Sequence, residues 1–145
     1  MTHNGLYAVL TGDLIKSRQS DTAAVEQTFV ILHNAAHQFG WAWDQDVRFT
    51  RHRGDGWQIV LTKPGLLLDA ALYLVACLKA GQTKIATRIS IGVGPIDTLG
   101  SSNLSDASGP AFFASGDQLG EMGRNRMLAL AGERVNAEQV AILDL

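Results

Sequence analysis

Two aspartates beside glycines are the residues of this sequence best suited to chemistry. Asp13 follows Gly12 after an apolar run, and Asp55 lies between Gly54 and Gly56. Two carboxylates within about 4–6 Å of each other repel, and a cation relieves that repulsion. Hard ions such as Mg²⁺ or Mn²⁺ are bound by one or two carboxylates together with phosphate oxygens. The pair therefore predicts a metal site, provided that the fold brings the two residues together.

A basic segment soon after Asp13 extends this chemistry to phosphate. Lys16, Ser17 and Arg18 lie in the turn before the predicted first helix. Free backbone N–H groups at a helix start and cationic side chains both favour anions. Two metal ions bridged by carboxylates can activate an attacking oxygen and stabilise a leaving pyrophosphate. Taken alone, each aspartate is more often an ordinary turn residue, so the prediction depends on their convergence.

The order of the predicted elements explains how these distant residues meet. Hydrophobic periodicity and turn residues predict a strand at 6 to 10 that stops at a turn at 11 to 13, and then a helix from about 20 that ends at Gly40. Two strands follow, at about 46 to 52 and 57 to 62. A helix at 66 to 79 and a strand at 84 to 94 complete the set. This order is that of an α+β, ferredoxin-like or palm-type βαββαβ sheet with helices on one face. The first strand and the central hairpin then lie side by side, so we expect Asp13 and Asp55 to converge.

The remaining third of the chain carries weaker signals. Gly92 and Gly94 leave one face of their strand bare, which lets a helix or a ligand approach closely. Residues 97 to 109 are rich in Gly, Ser, Asn and Asp and predict a long mobile loop, either a lid or a plain connection. A short helix at 110 to 121, a strand near 126 to 130 and the start of a helical pattern at 137 to 145 follow.

Length and composition set the broad class of protein. The chain has 145 residues, 46% hydrophobic and 18% charged, which predicts one domain over residues 1–145. A net charge of -2 gives no general attraction to nucleic acid or to acidic membranes. A single cysteine, Cys77, excludes a disulfide framework and fits a reducing cytosol. No signal peptide is visible, and the apolar run at 66 to 78 is too short to span a bilayer. We expect a cytoplasmic protein that binds neither membrane nor nucleic acid directly.

Other chemically capable residues have a more ordinary interpretation. His33 and His37 are four residues apart on the first helix, a spacing that can place two imidazoles on one metal, but no third ligand is evident beside them. Trp41, Trp43 and Trp57 suit either base stacking or packing in the core and at its edge, and packing is favoured.

Four short blocks of the sequence resemble a known family. The blocks are LTGDLIKSR (10 to 18), RGDGWQIVL (53 to 61), TRISIGVG (87 to 94) and SGPAFFASGDQL (108 to 119). They occur in matching order over residues 6 to 120 and are similar to the SatD family. More distantly, they are similar to the catalytic domain of class III adenylyl and guanylyl cyclases. The cyclase resemblance implies that Asp13 and Asp55 bind Mg²⁺ or Mn²⁺, with the Leu14 carbonyl as a third ligand. It also implies that phosphates lie over residues 14 to 18.

The same resemblance extends the nucleotide site and implies an assembly. Arg51 falls where many cyclases carry a base-selecting lysine, so we expect it to contact base or phosphate. Gly54 and Gly56, which flank Asp55, complete the predicted nucleotide-binding residues. Cyclases of this class bind a nucleoside triphosphate between two subunits, which implies a homodimer.

Two positions depart from the cyclase pattern. Where cyclases carry an asparagine and, four residues later, an arginine, this chain has Phe113 and Asp117. A phenyl ring cannot hydrogen-bond a ribose, and a carboxylate repels phosphate; losing such charge stabilisation slows phosphoryl transfer greatly. Three functions stay open: phosphoryl or nucleotidyl transfer, a non-catalytic regulatory or sensory domain acting with a DNA-binding module such as SatD-like proteins carry, and an interaction domain without metal or nucleotide.

Overall fold

A mixed sheet forms the centre of the computed structural model, which describes residues 5–15, 20–52, 54–101, 103–123 and 125–132. Five strands of these ranges pair in the order β2-β3-β1-β4-β5. They are β1 (Tyr7–Ile15), β2 (Thr50–Arg51), β3 (Gly56–Leu61), β4 (Ala86–Gly94) and β5 (Leu128–Gly132). The central strand β1 is antiparallel to both β3 and β4, whereas β5 runs parallel to β4.

Three α-helices connect these strands: α1 (Thr22–Trp43), α2 (Leu67–Gly81) and α3 (Pro110–Glu121). The side chain of Asp21 accepts a hydrogen bond from the backbone N–H of Ala24, which caps the start of α1. The sequence placed the end of this helix at Gly40, but the helix continues to Trp43 and ends where Asp44 adopts a left-handed conformation. Gly40 lies inside the helix, where a Cβ would clash with the returning carbonyl of Gln45.

The order of elements confirms the predicted βαββαβ arrangement. The sequence β1-α1-β2-β3-α2-β4 with β1 between β3 and β4 is the ferredoxin-like topology, to which α3 and β5 are added. Side chains alternate along β1, so two separate apolar clusters form. Leu10 and Leu14 pack with residues of α1 and α2, and we call this side of the sheet the α1/α2 face. Val9 packs with Ala111 of α3 on the other side, the α3 face.

Helix α2 packs on the sheet as a core helix. Its buried residues are Ala70, Ala71, Leu74 and Leu78. Together with the preceding 3₁₀ turn it forms an 18-residue apolar segment, Pro64–Gly81, of which 22% is buried and which is long and apolar enough to cross a membrane by length and composition alone. The expectation that the apolar run here is too short to span a bilayer is therefore wrong.

Two predicted boundaries on the strands are wrong. The first strand does not stop at residues 11 to 13 but continues to Ile15, because β3 and β4 pair with it from both sides. Gly12 suits the strand interior, since a Cβ there would clash with the ring of Trp57. The second strand was expected over 46 to 52 and is limited to Thr50–Arg51, because Arg48 has φ of 49° and interrupts the extended chain.

The segment at residues 97 to 109 is structured, contrary to the prediction of a mobile loop. Thr98 and Ser108 form an antiparallel bridge, and Leu104 is buried at 2% exposure. Asp106 accepts hydrogen bonds from the backbone and the hydroxyl of Ser101, and these hydrogen bonds lower the pKa of its carboxyl. The helical pattern predicted at 137 to 145 lies outside the described residues.

Candidate functional site

The structure brings Asp13, in β1, beside Asp55, in the turn just before β3. Asp13 lies in β1 and pairs in register with Gly56, the first residue of β3. The backbone N–H of Leu14 donates to the carbonyl oxygen of Asp55 at 3.1 Å. Asp13 therefore lies within a paired strand rather than in a turn, whereas Asp55 lies in the hairpin turn, where Gly54 has φ of 71°. Strand order alone was sufficient to predict this proximity.

The carboxylate of Asp13 has a cationic partner that the sequence did not suggest. Arg88, its register partner in β4, donates from Nε to Oδ1 at 2.9 Å and from Nη2 to Oδ2 at 2.6 Å. The third nitrogen, Nη1, donates to the carbonyl of Met122 at 2.9 Å. The hydrogen bonds to Asp13 raise the pKa of the Arg88 guanidinium. The exposed fractions are 17% for the Arg88 side chain and 31% for that of Asp13, so the pair is reachable from solvent.

A signal for Arg88 was present in the alternation of β4. One face of this segment carries Ile85, Thr87, Ile89, Ile91 and Val93, which places Arg88 with Ser90 and Gly92 on the other. The alternation identified the face of β4 on which Arg88 lies but not Asp13 as its partner. The register between β1 and β4, which decides that partner, is fixed only in the folded sheet.

A buried chain of hydrogen bonds lies beside this ion pair on the α3 face. Gln58 Nε2 donates to the Thr11 hydroxyl at 2.9 Å, and the Ser115 hydroxyl of α3 lies 2.6 Å from the same oxygen. Ser90 Oγ donates to the carbonyl of Ser115 at 2.7 Å. His52 Nε2 lies 3.2 Å from Gln58 Oε1 and extends the chain toward solvent. These contacts fix α3 relative to the strands that carry Asp13 and Arg88.

The glycines of β4 allow α3 to approach the sheet, as their bare face predicted. A Cβ on Gly92 would clash with the carbonyl of Ala111 and the backbone nitrogen of Ser115. Phe113 and Asp117, the two departures from the cyclase pattern, lie on this helix and are both exposed; Phe113 has 66% of its surface accessible.

Arg51 is not brought to the carboxylate of Asp13. Its guanidinium donates to Glu26 of α1 at 2.8 and 3.0 Å and lies 3.8 Å above the ring of Phe29, on the α1/α2 face. The hydrogen bonds between the two side chains lower the pKa of Glu26 and raise that of Arg51.

The side chain of Leu14 is buried in the core of the α1/α2 face, so only its backbone is suited to ligand binding. Lys16, Ser17 and Arg18 lie outside the described residues, and their role stays a prediction.

The donor set of this corner fits a hard divalent cation. Two carboxylates and a backbone carbonyl are oxygen ligands, and Mg²⁺ is commonly bound by one or two carboxylates plus substrate phosphates. Within the described ranges no three His, Cys, Asp or Glu side chains form a metal-binding group, so phosphate oxygens or water would complete the coordination. In the structure both oxygens of the Asp13 carboxylate are already paired with the guanidinium of Arg88, so a cation there would compete with Arg88.

The residues given an ordinary interpretation mostly keep it. Trp57 is fully buried, and its Nε1 donates to the hydroxyl of Thr87 at 2.9 Å, which confirms core packing. The rings of His33 and His37 lie 4.4 Å apart, and His33 makes an edge contact with Phe49 at 5.5 Å. Trp41 is 91% exposed, so the prediction of packing is wrong for this residue.

Comparison with known proteins identifies the fold. No protein-family model matches the chain, and no curated protein matches it. Among solved structures, the chain is similar to a dimeric guanylyl cyclase domain of the RhoGC fusion protein from the aquatic fungus Blastocladiella emersonii. The two share 17% sequence identity with a TM-score of 0.61, and the match covers 81% of this chain and 74% of that chain. The catalytic core of a rhodopsin-guanylyl cyclase in complex with ATPalphaS is similar at 18% identity and a TM-score of 0.60, covering 81% and 72%.

A bacterial light-regulated adenylyl cyclase is similar at 16% identity and a TM-score of 0.64, covering 87% of this chain and 43% of that chain. The chain therefore has the fold of adenylyl and guanylyl cyclase catalytic domains, which is an α+β fold of the ferredoxin-like or palm type. The resemblance to the SatD family stays a prediction.

Proposed function

We propose that this chain is a metal-dependent nucleoside-triphosphate-binding domain of the nucleotidyl cyclase type. The observation that carries the proposal is the corner where β1 meets the β2–β3 hairpin, which holds Asp13 beside Asp55 in a cyclase fold. The carboxylates of both residues and the carbonyl of Leu14 would hold Mg²⁺ or Mn²⁺. A bound ion of this kind neutralises the charge of a triphosphate and polarises its oxygens.

Arg88 gives this site a second cation. A metal ion at Asp13 would compete with the guanidinium for the same two oxygens, so the Asp13–Arg88 pair weakens when the metal binds. The freed guanidinium would then lie beside the triphosphate, whose oxygens it can bind through two parallel N–H groups. Lys16, Ser17 and Arg18 are proposed as further phosphate ligands, and the backbone of Gly54 and Gly56 as part of the same site.

A role for Arg51 in contacting base or phosphate requires it to leave Glu26. That ion pair is exposed to solvent, where water and salt screen the attraction between the two charges. One structural neighbour is a dimeric guanylyl cyclase domain, and another was solved in complex with ATPalphaS. We propose by analogy that this chain forms a homodimer and binds a nucleoside triphosphate.

Titration calorimetry with Mn²⁺ and with ATP, GTP, CTP and UTP tests the proposal directly. We expect one or more of the nucleotides to bind only with metal present. Asp13→Asn and Asp55→Asn should each weaken metal-dependent binding by at least about tenfold, or ~1.4 kcal/mol. Asp69→Asn, in the first turn of α2, is the matched control and should bind as the wild type does. Absence of binding by every metal–nucleotide pair would contradict the proposal.

Arg88→Gln separates metal binding from loss of the ion pair. Asp13→Asn removes both the carboxylate and its partner contact, so its effect alone is ambiguous. Arg88→Gln leaves the carboxylate and removes the competing cation, so it should raise the affinity for Mn²⁺ alone while lowering that for the metal–triphosphate complex. If both variants weaken Mn²⁺ binding equally, the ion pair is structural and Asp13 is not a metal ligand.

A non-catalytic regulatory domain is the second candidate, and Phe113 and Asp117 favour it. Both are exposed on α3 at the positions where the cyclase resemblance expects asparagine and arginine. Mass spectrometry of nucleotide products after incubation with Mn²⁺ distinguishes the two candidates. Binding without any product supports the regulatory role, and cyclic or transferred nucleotide supports catalysis. Phe113→Asn/Asp117→Arg tests whether these two positions limit turnover.

A further inference from the structure

A cavity of ≈ 500 Å³ lies between the C-terminal half of α2 and the beginning of β4. Its apolar wall is formed by Val75 and Leu78 of α2, Ile85 before β4 and Met127 before β5. Cavities of about 300–1,000 Å³ with a largely apolar lining are typical of small-molecule sites. The volume and the apolar lining therefore fall within the range of small-molecule sites.

The cavity lies on the opposite face of the sheet from the carboxylate of Asp13. Leu78 and Ile85 belong to the apolar cluster of the α1/α2 face, whereas that carboxylate pairs with Arg88 beside α3. None of the described residues proposed to bind metal or nucleotide lines the cavity. The inference therefore does not rest on the proposed function.

Two lysines give the cavity a positive rim. Lys79 lies in the last turn of α2, and Lys84 lies just before β4. Among the described residues, neither side chain forms an ion pair with a carboxylate. Two ammonium groups beside an apolar surface attract a ligand that has both a negative charge and a hydrophobic body.

The chain at this rim also adopts a backbone conformation that side chains rarely take. Gln82 has φ of 58° and Lys84 has φ of 64°, and both line the cavity. Left-handed residues other than glycine are disfavoured, and such strained residues cluster at ligand sites. Gln82 is the left-handed C-cap that ends α2, and the chain between α2 and β4 carries Lys84 along the edge of the cavity.

From this combination we propose that the cavity binds a small amphipathic monoanion, with an aliphatic body in the apolar cavity and a carboxylate between Lys79 and Lys84. An uncharged molecule of the same length uses the apolar wall but not the lysines. A cation of the same length is repelled by them. The proposal thus specifies both the shape and the sign of the ligand.

Decanoate is the probe for this proposal, with decanol as its uncharged match. Binding to the full chain is followed by the methyl NMR signals of Val75, Leu78 and Met127. We expect saturable shifts of these signals with decanoate and weaker binding of decanol. Lys79→Gln/Lys84→Gln should weaken decanoate binding by about tenfold and leave decanol unchanged. Both lysines are exposed, so this variant is expected to fold.

Val75→Trp provides a second test, because an indole at this half-buried position fills the cavity and should abolish binding of both probes. Leu72→Trp is its control on the same helix, since Leu72 is 56% exposed and does not line the cavity. Circular dichroism and the melting temperature establish that both variants are folded.

Three results would overturn the proposal. The first is absence of saturable binding at millimolar decanoate. The second is equal affinity for decanoate and decanol, or no response to the lysine substitutions. The third is a set of nuclear Overhauser contacts between the Met127 methyl and residues 133 to 145, which would mean that the chain itself occupies the cavity.

Discussion

The two faces of β1 differ in what holds them together. On the α1/α2 face, Leu10 and Leu14 are surrounded by apolar side chains of α1 and α2. On the α3 face, Thr11 and Asp13 make directional contacts with Ser115 and Arg88. Apolar burial stabilises in proportion to area and tolerates small shifts, whereas a buried polar group is costly when one partner is lost. The first face therefore supplies stability, and the second supplies positions fixed by hydrogen bonds, as a binding site requires.

Leu32→Ala, on the α1/α2 face, is expected to lower the free energy of unfolding more than any other substitution in this comparison of the two faces. Leu32 of α1 is fully buried on the α1/α2 face, and this truncation should cost about 2–5 kcal/mol through lost burial and a residual cavity. Urea denaturation measures it. Leu72→Ala, at an exposed position of α2, should stay within about 0.5 kcal/mol. Equal costs would mean that α1 is not packed on the sheet as described.

Gly92→Ala should be the most damaging small change on the α3 face. The added methyl meets the backbone of Ala111 and Ser115, which cannot rotate away, so α3 must shift. We expect destabilisation of about 1–3 kcal/mol in denaturant unfolding. Gly116→Ala, on α3 with nothing within 4 Å of the new Cβ, should instead stabilise by up to about 1 kcal/mol. Destabilisation by both substitutions would argue against close seating of α3 on Gly92.

Ser115→Ala tests the polar chain itself. Removing the hydroxyl leaves the buried oxygen of Thr11 with one fewer partner, and we expect a cost of about 1–3 kcal/mol. A double-mutant cycle with Thr11→Val gives the sharper readout. The double variant should cost clearly less than the two single costs added together, because the second substitution removes the unpaired group. Simple additivity would show that the hydroxyls are not coupled.

The smallest effect concerns the exposed pair of Glu26 and Arg51. Because the hydrogen bonds from Arg51 lower the pKa of Glu26, the folded state binds a proton less readily than the unfolded one. The resulting stability is present above the ordinary glutamate pKa of about 4.3 and is lost as the pH falls through the lowered value in the folded protein. Glu26→Gln should flatten the acid side of the melting-temperature profile slightly, and Arg51→Gln should have the same effect. A steeper profile in either variant would contradict the ion pair.

The difference between the faces also explains which features the sequence could predict. The positions of Gly92 and Gly94 indicated close helix packing, and the glycines around Asp55 indicated the hairpin, because both signals are local. The prediction of where β1 ends was wrong because Gly12 and Asp13 favour turns by local preference. Pairing of β1 with strands on both sides overrides that preference.

Long-range partners were the part that the sequence could not supply. Asp13 and Asp55 were placed together from strand order, but Arg88 was missed because register and side-chain reach decide that contact. Arg51 was assigned to the nucleotide from a resemblance, and its contacts with Glu26 and Phe29 depend on the packing of α1 over the hairpin. The burial of Leu104 was not predicted, because the segment around it is polar in composition.

The separation of Asp13 from Arg88 has a kinetic consequence. The two residues are 75 positions apart, and β1 cannot pair with β4 until most of the chain has been synthesised. Bringing such distant segments together requires closure of a long loop, which slows folding. During synthesis the carboxylate of Asp13 therefore cannot pair with Arg88 until β4 has left the ribosome, so this ion pair forms later than the pairing of β1 with β3 can.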